Sequence, residues 1–159
     1  MKAKHINFII AAFLSILMQW MVQPIIAIGG IGPNFLVIFI IAMALRFGPI
    51  PSVWAAFVLG LIIDALTATD LMGLTAFSLA VVGYVSAQFR GYLNKITPIL
   101  QYVILFLIVC IYYVVNDFIA YQSLDWRFNT ILLNHILPSS VYTFIMLFFI
   151  SSVTPFGEE

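Results

Sequence analysis

The 159-residue chain is 64% apolar and 8% charged, against about 25% charged in an ordinary soluble domain, so it lacks the polar surface to fold in water. Its six basic and six acidic residues cancel, which leaves no basic stripe for nucleic acid. The single cysteine, Cys110, excludes a disulfide framework and a cysteine-based metal site.

With a mean hydropathy of +1.17, the chain reads as an all-α, polytopic membrane helix bundle forming one domain over residues 1–159. A spanning helix takes about 20 residues at ~1.5 Å per residue, so six helices would use about 120 residues. The rest suffices only for short loops and tails.

The first apolar run covers residues 6–28, behind Lys2 and Lys4 and with Pro24 near its end. A signal peptide begins similarly, but this run is too long and Ile25-Ile26-Ala27-Ile28-Gly29 is a poor cleavage site. Gly29-Gly30-Ile31-Gly32-Pro33 breaks the helix. The second run, 34–47, is short and ends at Arg46-Phe47-Gly48-Pro49-Ile50-Pro51. The third is 52–66, with Asp64 in its last turn, and the fourth is 71–89. The fifth begins at Pro98, a favourable first helical residue, and runs to 119. The sixth covers 131–153, where Pro138 either kinks the helix or marks a later start. If the second and third runs form a re-entrant hairpin, four full spans remain.

Charge orients the bundle. With six spans and both termini inside, Lys2, Lys4, Arg46, Arg90 and Lys95 fall on the inner face and Arg127 alone on the outer, as the positive-inside rule requires. Asp70 and Asp125 then lie outside, with Asp117 at the outer boundary. Trp54, Tyr92 and Tyr102 near the inner boundary, and Tyr121 and Trp126 near the outer, make aromatic belts. These assignments make the protein a multi-pass membrane chain.

The most informative region is Ser52 to Arg90. Ala56, Gly60 and Asp64 recur at four-residue spacing on one face of the third run. Gly73, Ala76, Ala80, Gly83 and Ala87 step by three and four along the fourth. Helices in a bilayer associate by close packing of small residues, so these faces are expected to pack on each other or on neighbouring helices. Asp64 closes the stripe. Either it caps or solvates the turn before Thr67 and Thr69, or it hydrogen-bonds across the bundle to Asn116 or Tyr113, or it carries a proton or substrate.

Ala56-Phe57-Val58-Leu59-Gly60-Leu61-Ile62-Ile63-Asp64, then Met72-Gly73-Leu74-Thr75-Ala76, then Gly83-Tyr84 resembles the signature of the rod shape-determining protein MreD family. That signature has a Gly-Phe-x-x-Gly-Leu-x-x-Asp block, a Leu-Gly pair followed by a small residue, and Gly-Tyr. The family also carries Pro-Asp at the head of the second helix. Here that position is Pro33-Asn34, and the block opens on Ala56 rather than glycine. Length, a lysine-bearing N-terminus and span number match as well.

The resemblance implies a non-enzymatic component of the bacterial elongation machinery. It implies binding to the bitopic periplasmic scaffold MreC, and through it a link to the actin-like MreB filament, the glycosyltransferase RodA and its transpeptidase. It also implies a fold similar to the membrane-embedded substrate-binding subunits of energy-coupling-factor transporters. Ala56, Gly60, Asp64, Gly73, Ala76, Ala80, Gly83 and Tyr84 are the candidate structural or partner-binding residues.

Catalytic patterns are absent from the sequence. His5 and His135, the only histidines, lie at opposite ends of the chain, with no His-Glu-x-x-His pair for zinc and no Gly-x-Ser-x-Gly elbow. No cofactor is implied. The rival reading is a small-molecule transporter or its binding subunit, which needs polar groups converging on a cavity. Asn116, Asp117, Gln122, Asn129, Asn134 and His135 are its candidates, although loop and helix-end positions account for them as well.

Overall fold

The computed structural model describes residues 2–67, 71–120 and 132–153. These form an all-helical bundle of six helices. Helix α1 (Lys2–Leu17) continues through a π-helical turn, Met18–Val22, into a last turn, Gln23–Ile26. Then follow α2 (Phe35–Phe47), α3 (Pro49–Thr67), α4 (Leu74–Gln88), α5 (Pro98–Ala120) and α6 (Leu137–Val153), the last entered through a π-helical turn, Leu132–Ile136.

Both π turns have one cause. Each ends two residues before a proline, Pro24 and Pro138. A proline cannot donate to the carbonyl four residues back, and its ring crowds that carbonyl. Widening the preceding turn relieves the clash without breaking the helix. Pro138 therefore sits in the first turn of α6, at the later of the two starts its sequence position allows, with the helix continuous through it from the π turn.

Four segments are long and apolar enough to cross a membrane: Phe8–Ile26, Pro49–Thr67, Pro98–Ala120 and Leu133–Ile150. Helices α2 and α4 are shorter, at 13 and 15 residues, or ~20 and ~22 Å. They are also the centre of the bundle. On α2, Leu36, Val37, Ile40, Ile41 and Ala44 are wholly or almost wholly buried, as are Ala76, Leu79 and Val82 on α4. The longer helices α3, α5 and α6 pack around them, and α1 leans on α2. There the Phe8 ring meets Phe47 edge-on at 4.2 Å.

The connections follow from local chemistry. Between α1 and α2 the chain reverses at Gly29-Gly30, where Ile28 and Ile31 exchange both backbone hydrogen bonds. Both glycines have positive φ, as a two-residue reversal of this tightness requires. Gly48 alone joins α2 to α3. Its φ of 88° closes α2, and Pro49 opens α3, ahead of Ser52 where the apolar run begins. Pro49 and Pro51 both fall in the first turn, whose N–H groups have no helical partner to lose. The α4 helix starts at Leu74, later than its apolar run, because Leu71–Gly73 form the turn that enters it.

Alternate helices run in opposite directions, so the bundle has two chemically distinct ends. Arg46, Arg90 and Lys95 lie at one end, together with the start of α1. Asp64 and Asp117, in the last turns of α3 and α5, lie towards the other. Asp70, Tyr121, Gln122, Asp125, Trp126, Arg127 and Asn129 fall outside the described residues.

Candidate functional site

The small residues of α3 and α4 form an antiparallel seam. A methyl group on Gly60 would overlap the Ala76 Cα and lie 2.6 Å from its backbone nitrogen. One on Gly83 would lie 3.3 Å from the Ser52 carbonyl and 3.2 Å from Ile40. The Ser52 hydroxyl sits 2.8 Å from the Gly48 carbonyl and 3.3 Å from the Gly83 carbonyl. This register sets Ala56, fully buried, level with half-buried Ala80. Each contact brings two backbones to a distance that larger side chains forbid, which maximises dispersion where lipid supplies no hydrophobic drive. Ser52 extends the four-residue stripe of Ala56, Gly60 and Asp64 by one step. The same spacing marks it in the sequence, where it had passed as a boundary residue. Tyr84 points elsewhere and is 55% exposed.

At the top of this seam Asp64 is 1% exposed. Its Oδ2 accepts hydrogen bonds from the backbone N–H groups of Gly73 at 2.9 Å and Ala76 at 3.4 Å. These are donors at the start of α4, which a helix cannot satisfy itself. The residue at the cap position is Gly73, with φ of 96° and no side chain to offer. Asp64 therefore caps the next helix from across the seam, and its negative charge faces the positive end of the α4 dipole. The expected partners Asn116 and Tyr113 are not used. A cap on α4 replaces the cross-bundle bond, because backbone donors at the facing helix start lie closer.

The start of α2 is solved the same way. Asn34 Oδ1 accepts from the N–H groups of Leu36 and Val37, each at 3.1 Å. The Phe35 N–H donates to Gln19 Oε1 of the α1 π turn at 2.9 Å. The Asn34 N–H in turn donates to Thr143 Oγ1 on α6 at 3.1 Å, and Thr143 lies 2.7 Å from the Tyr113 hydroxyl on α5. Four segments thus converge on one buried helix start and leave none of its first N–H groups without a partner. Pro33, which precedes the cap, is buried too. Capping requires an acceptor oxygen rather than a charge, so an amide serves where the family motif has an acid. We expect Asn34→Asp to be tolerated and Asn34→Ala to lower stability by about 1 kcal/mol. Unfolding in mixed micelles, compared for the two variants, measures the difference.

Of the other polar candidates, Asp117 and His135 come together, with Nδ1 3.4 Å from Oδ2. This pair ties the end of α5 to the π turn that enters α6. Asn116 is half-buried, and Asn134 faces outward. Among the described residues no three of His, Cys, Asp and Glu gather as a metal site.

The fold and this site define an all-helical protein with four segments long and apolar enough to cross a membrane, whose buried polar groups mainly cap and join helices. Residues 2–152 match the family model for the rod shape-determining protein MreD. The chain belongs to that family, and membership implies a role in determining rod shape. No curated protein matches the chain, and no solved structure matches it.

Proposed function

We propose that this protein is a non-enzymatic scaffold of the bacterial cell-elongation complex. In this reading it crosses the cytoplasmic membrane six times, with both termini inside, and the end bearing Arg46, Arg90 and Lys95 faces the cytoplasm. It binds a bitopic periplasmic scaffold of the MreC type through its helices. That contact couples the cytoplasmic MreB-type filament to a RodA-type glycosyltransferase and its transpeptidase.

The observation that carries the reading is how the motif residues are used. Gly60, Ala76 and Asp64 are engaged with each other's helices, and a single added methyl at Gly60 would meet backbone. A rigid helix pair of this kind suits a platform, and the seam leaves no room for a small molecule. Co-purification from the native membrane in mild detergent tests it. An MreC-type protein should remain bound, and its absence from every preparation would sink the scaffold role.

The second reading is a vitamin-like substrate-binding subunit, similar to those of energy-coupling-factor transporters. The Asp117–His135 pair and the polar groups around Asn34, gathered at one end of the bundle, favour it. A binding subunit should show one strong ligand-dependent stabilisation in a metabolite screen, whereas a scaffold should show none.

A further inference from the structure

At the basic end of the bundle, the corner between α2 and α3 meets the end of α4. Arg46 occupies the last turn of α2. Arg90, two residues beyond α4, lays its guanidinium against Gly48, with Nη1 3.2 Å from where a methyl on that glycine would sit. Both arginines are exposed, and no acidic side chain among the described residues lies at this end. The described acids, Asp64 and Asp117, are both engaged near the other end.

One need these arginines meet is local. The carbonyl ends of α2 and α4 converge here, and cations complement them. That explanation is incomplete. A helix end carries roughly half a charge, so two guanidiniums over two helix ends leave about one positive charge in excess. Each guanidinium also keeps a fork of donors that no acceptor among the described residues takes up.

We propose that this corner binds the headgroup of an anionic phospholipid. Guanidinium forks match phosphate oxygens in geometry and charge. Basic pockets between transmembrane helices are known to select such headgroups. A lipid fits better than a soluble phosphate because the helices below the corner are apolar on their outer faces. Ile50 and Trp54 on α3 are 72% and 67% exposed, and Phe77 and Tyr84, two turns apart on α4, are exposed as well. A headgroup held at the rim therefore has acyl-compatible surface directly beneath it.

The test uses the full-length protein in non-ionic detergent, with thermal unfolding followed on addition of phosphatidylglycerol, cardiolipin, phosphatidylcholine or inorganic phosphate. The anionic lipids should raise the midpoint by several degrees, and phosphatidylcholine and free phosphate should not. The Arg46→Gln/Arg90→Gln protein should lose only a little of its lipid-free midpoint, as the helix-end cations are removed, but most of the anionic-lipid shift. Lys2→Gln/Lys4→Gln removes the same charge from the start of α1 and should retain that shift. An equal loss in both double variants would mean diffuse attraction and would overturn the site. So would an unchanged response of the arginine variant, or a full shift with phosphatidylcholine or phosphate alone.

Discussion

Gly60→Ala is expected to destabilise the bundle by about 3 kcal/mol, despite improving the intrinsic helix propensity of α3. Two effects oppose each other. Alanine in a helix interior is favoured over glycine by about 1 kcal/mol. Against that, the new methyl would overlap Ala76 Cα and approach its backbone nitrogen to 2.6 Å. Overpacking ordinarily costs about 1–3 kcal/mol when side chains can shift. Here the obstacle is main chain, so the two helices must separate and the whole seam loses contact. Separation would also pull Asp64 from the α4 N–H groups that it caps. Gly83→Ala meets a looser environment, at 3.2–3.3 Å from Ile40 and Ser52, and should change stability by less than about 1 kcal/mol, because the propensity gain offsets the crowding. Gly91→Ala, with nothing within 4 Å, is the control. Unfolding in mixed micelles, membrane abundance and rescue of rod shape should rank the three, with Gly60→Ala alone failing. A Gly60→Ala protein as stable as the parent would show that the α3–α4 seam is not packed as described.

The seam was legible because its signal is periodic. Small residues at four-residue spacing need only a helix to fall on one face, and the runs around them are long enough to be helical. The helix starts were less legible. Asn34 stands directly before an apolar run, which is a capping pattern, but Gln19, Thr143 and Tyr113 join it from segments far away in the chain. Those pairings depend on how helices dock, and no local pattern encodes them. Asp64 shows the same limit. Its side chain invited a search for side-chain partners such as Asn116 and Tyr113, whereas the donors it meets are backbone N–H groups. Main-chain donors carry no residue identity, so a sequence cannot advertise them. The π turns were legible only as prolines. Whether proline kinks, ends or widens a helix is decided by the neighbours that hold both halves in line.

Asp64 gives the sharpest division between a structural acid and a chemical one. As a cap it needs an acceptor oxygen facing Gly73 and Ala76, and Asp64→Asn keeps one in the same position. That variant should therefore remain within about 1 kcal/mol of the parent, the difference being the lost attraction between the carboxylate and the α4 dipole. Asp64→Leu removes the acceptor altogether. Loss of a cap costs about 0.5–2 kcal/mol, and a buried N–H left without a partner costs about 1–3 kcal/mol. These two figures describe overlapping losses, so the sum is bounded at roughly 3 kcal/mol. The leucine protein should accordingly be scarce in the membrane, and cells relying on it should round up. The asparagine protein should be abundant and support rod shape. If Asp64 instead carried a proton or a cation, charge would be indispensable. The asparagine protein would then be abundant yet as inactive as the leucine one. Membrane abundance measured beside cell shape separates the cases, and a well-expressed, inactive Asp64→Asn protein would overturn the capping role and raise the substrate-binding reading above the scaffold one.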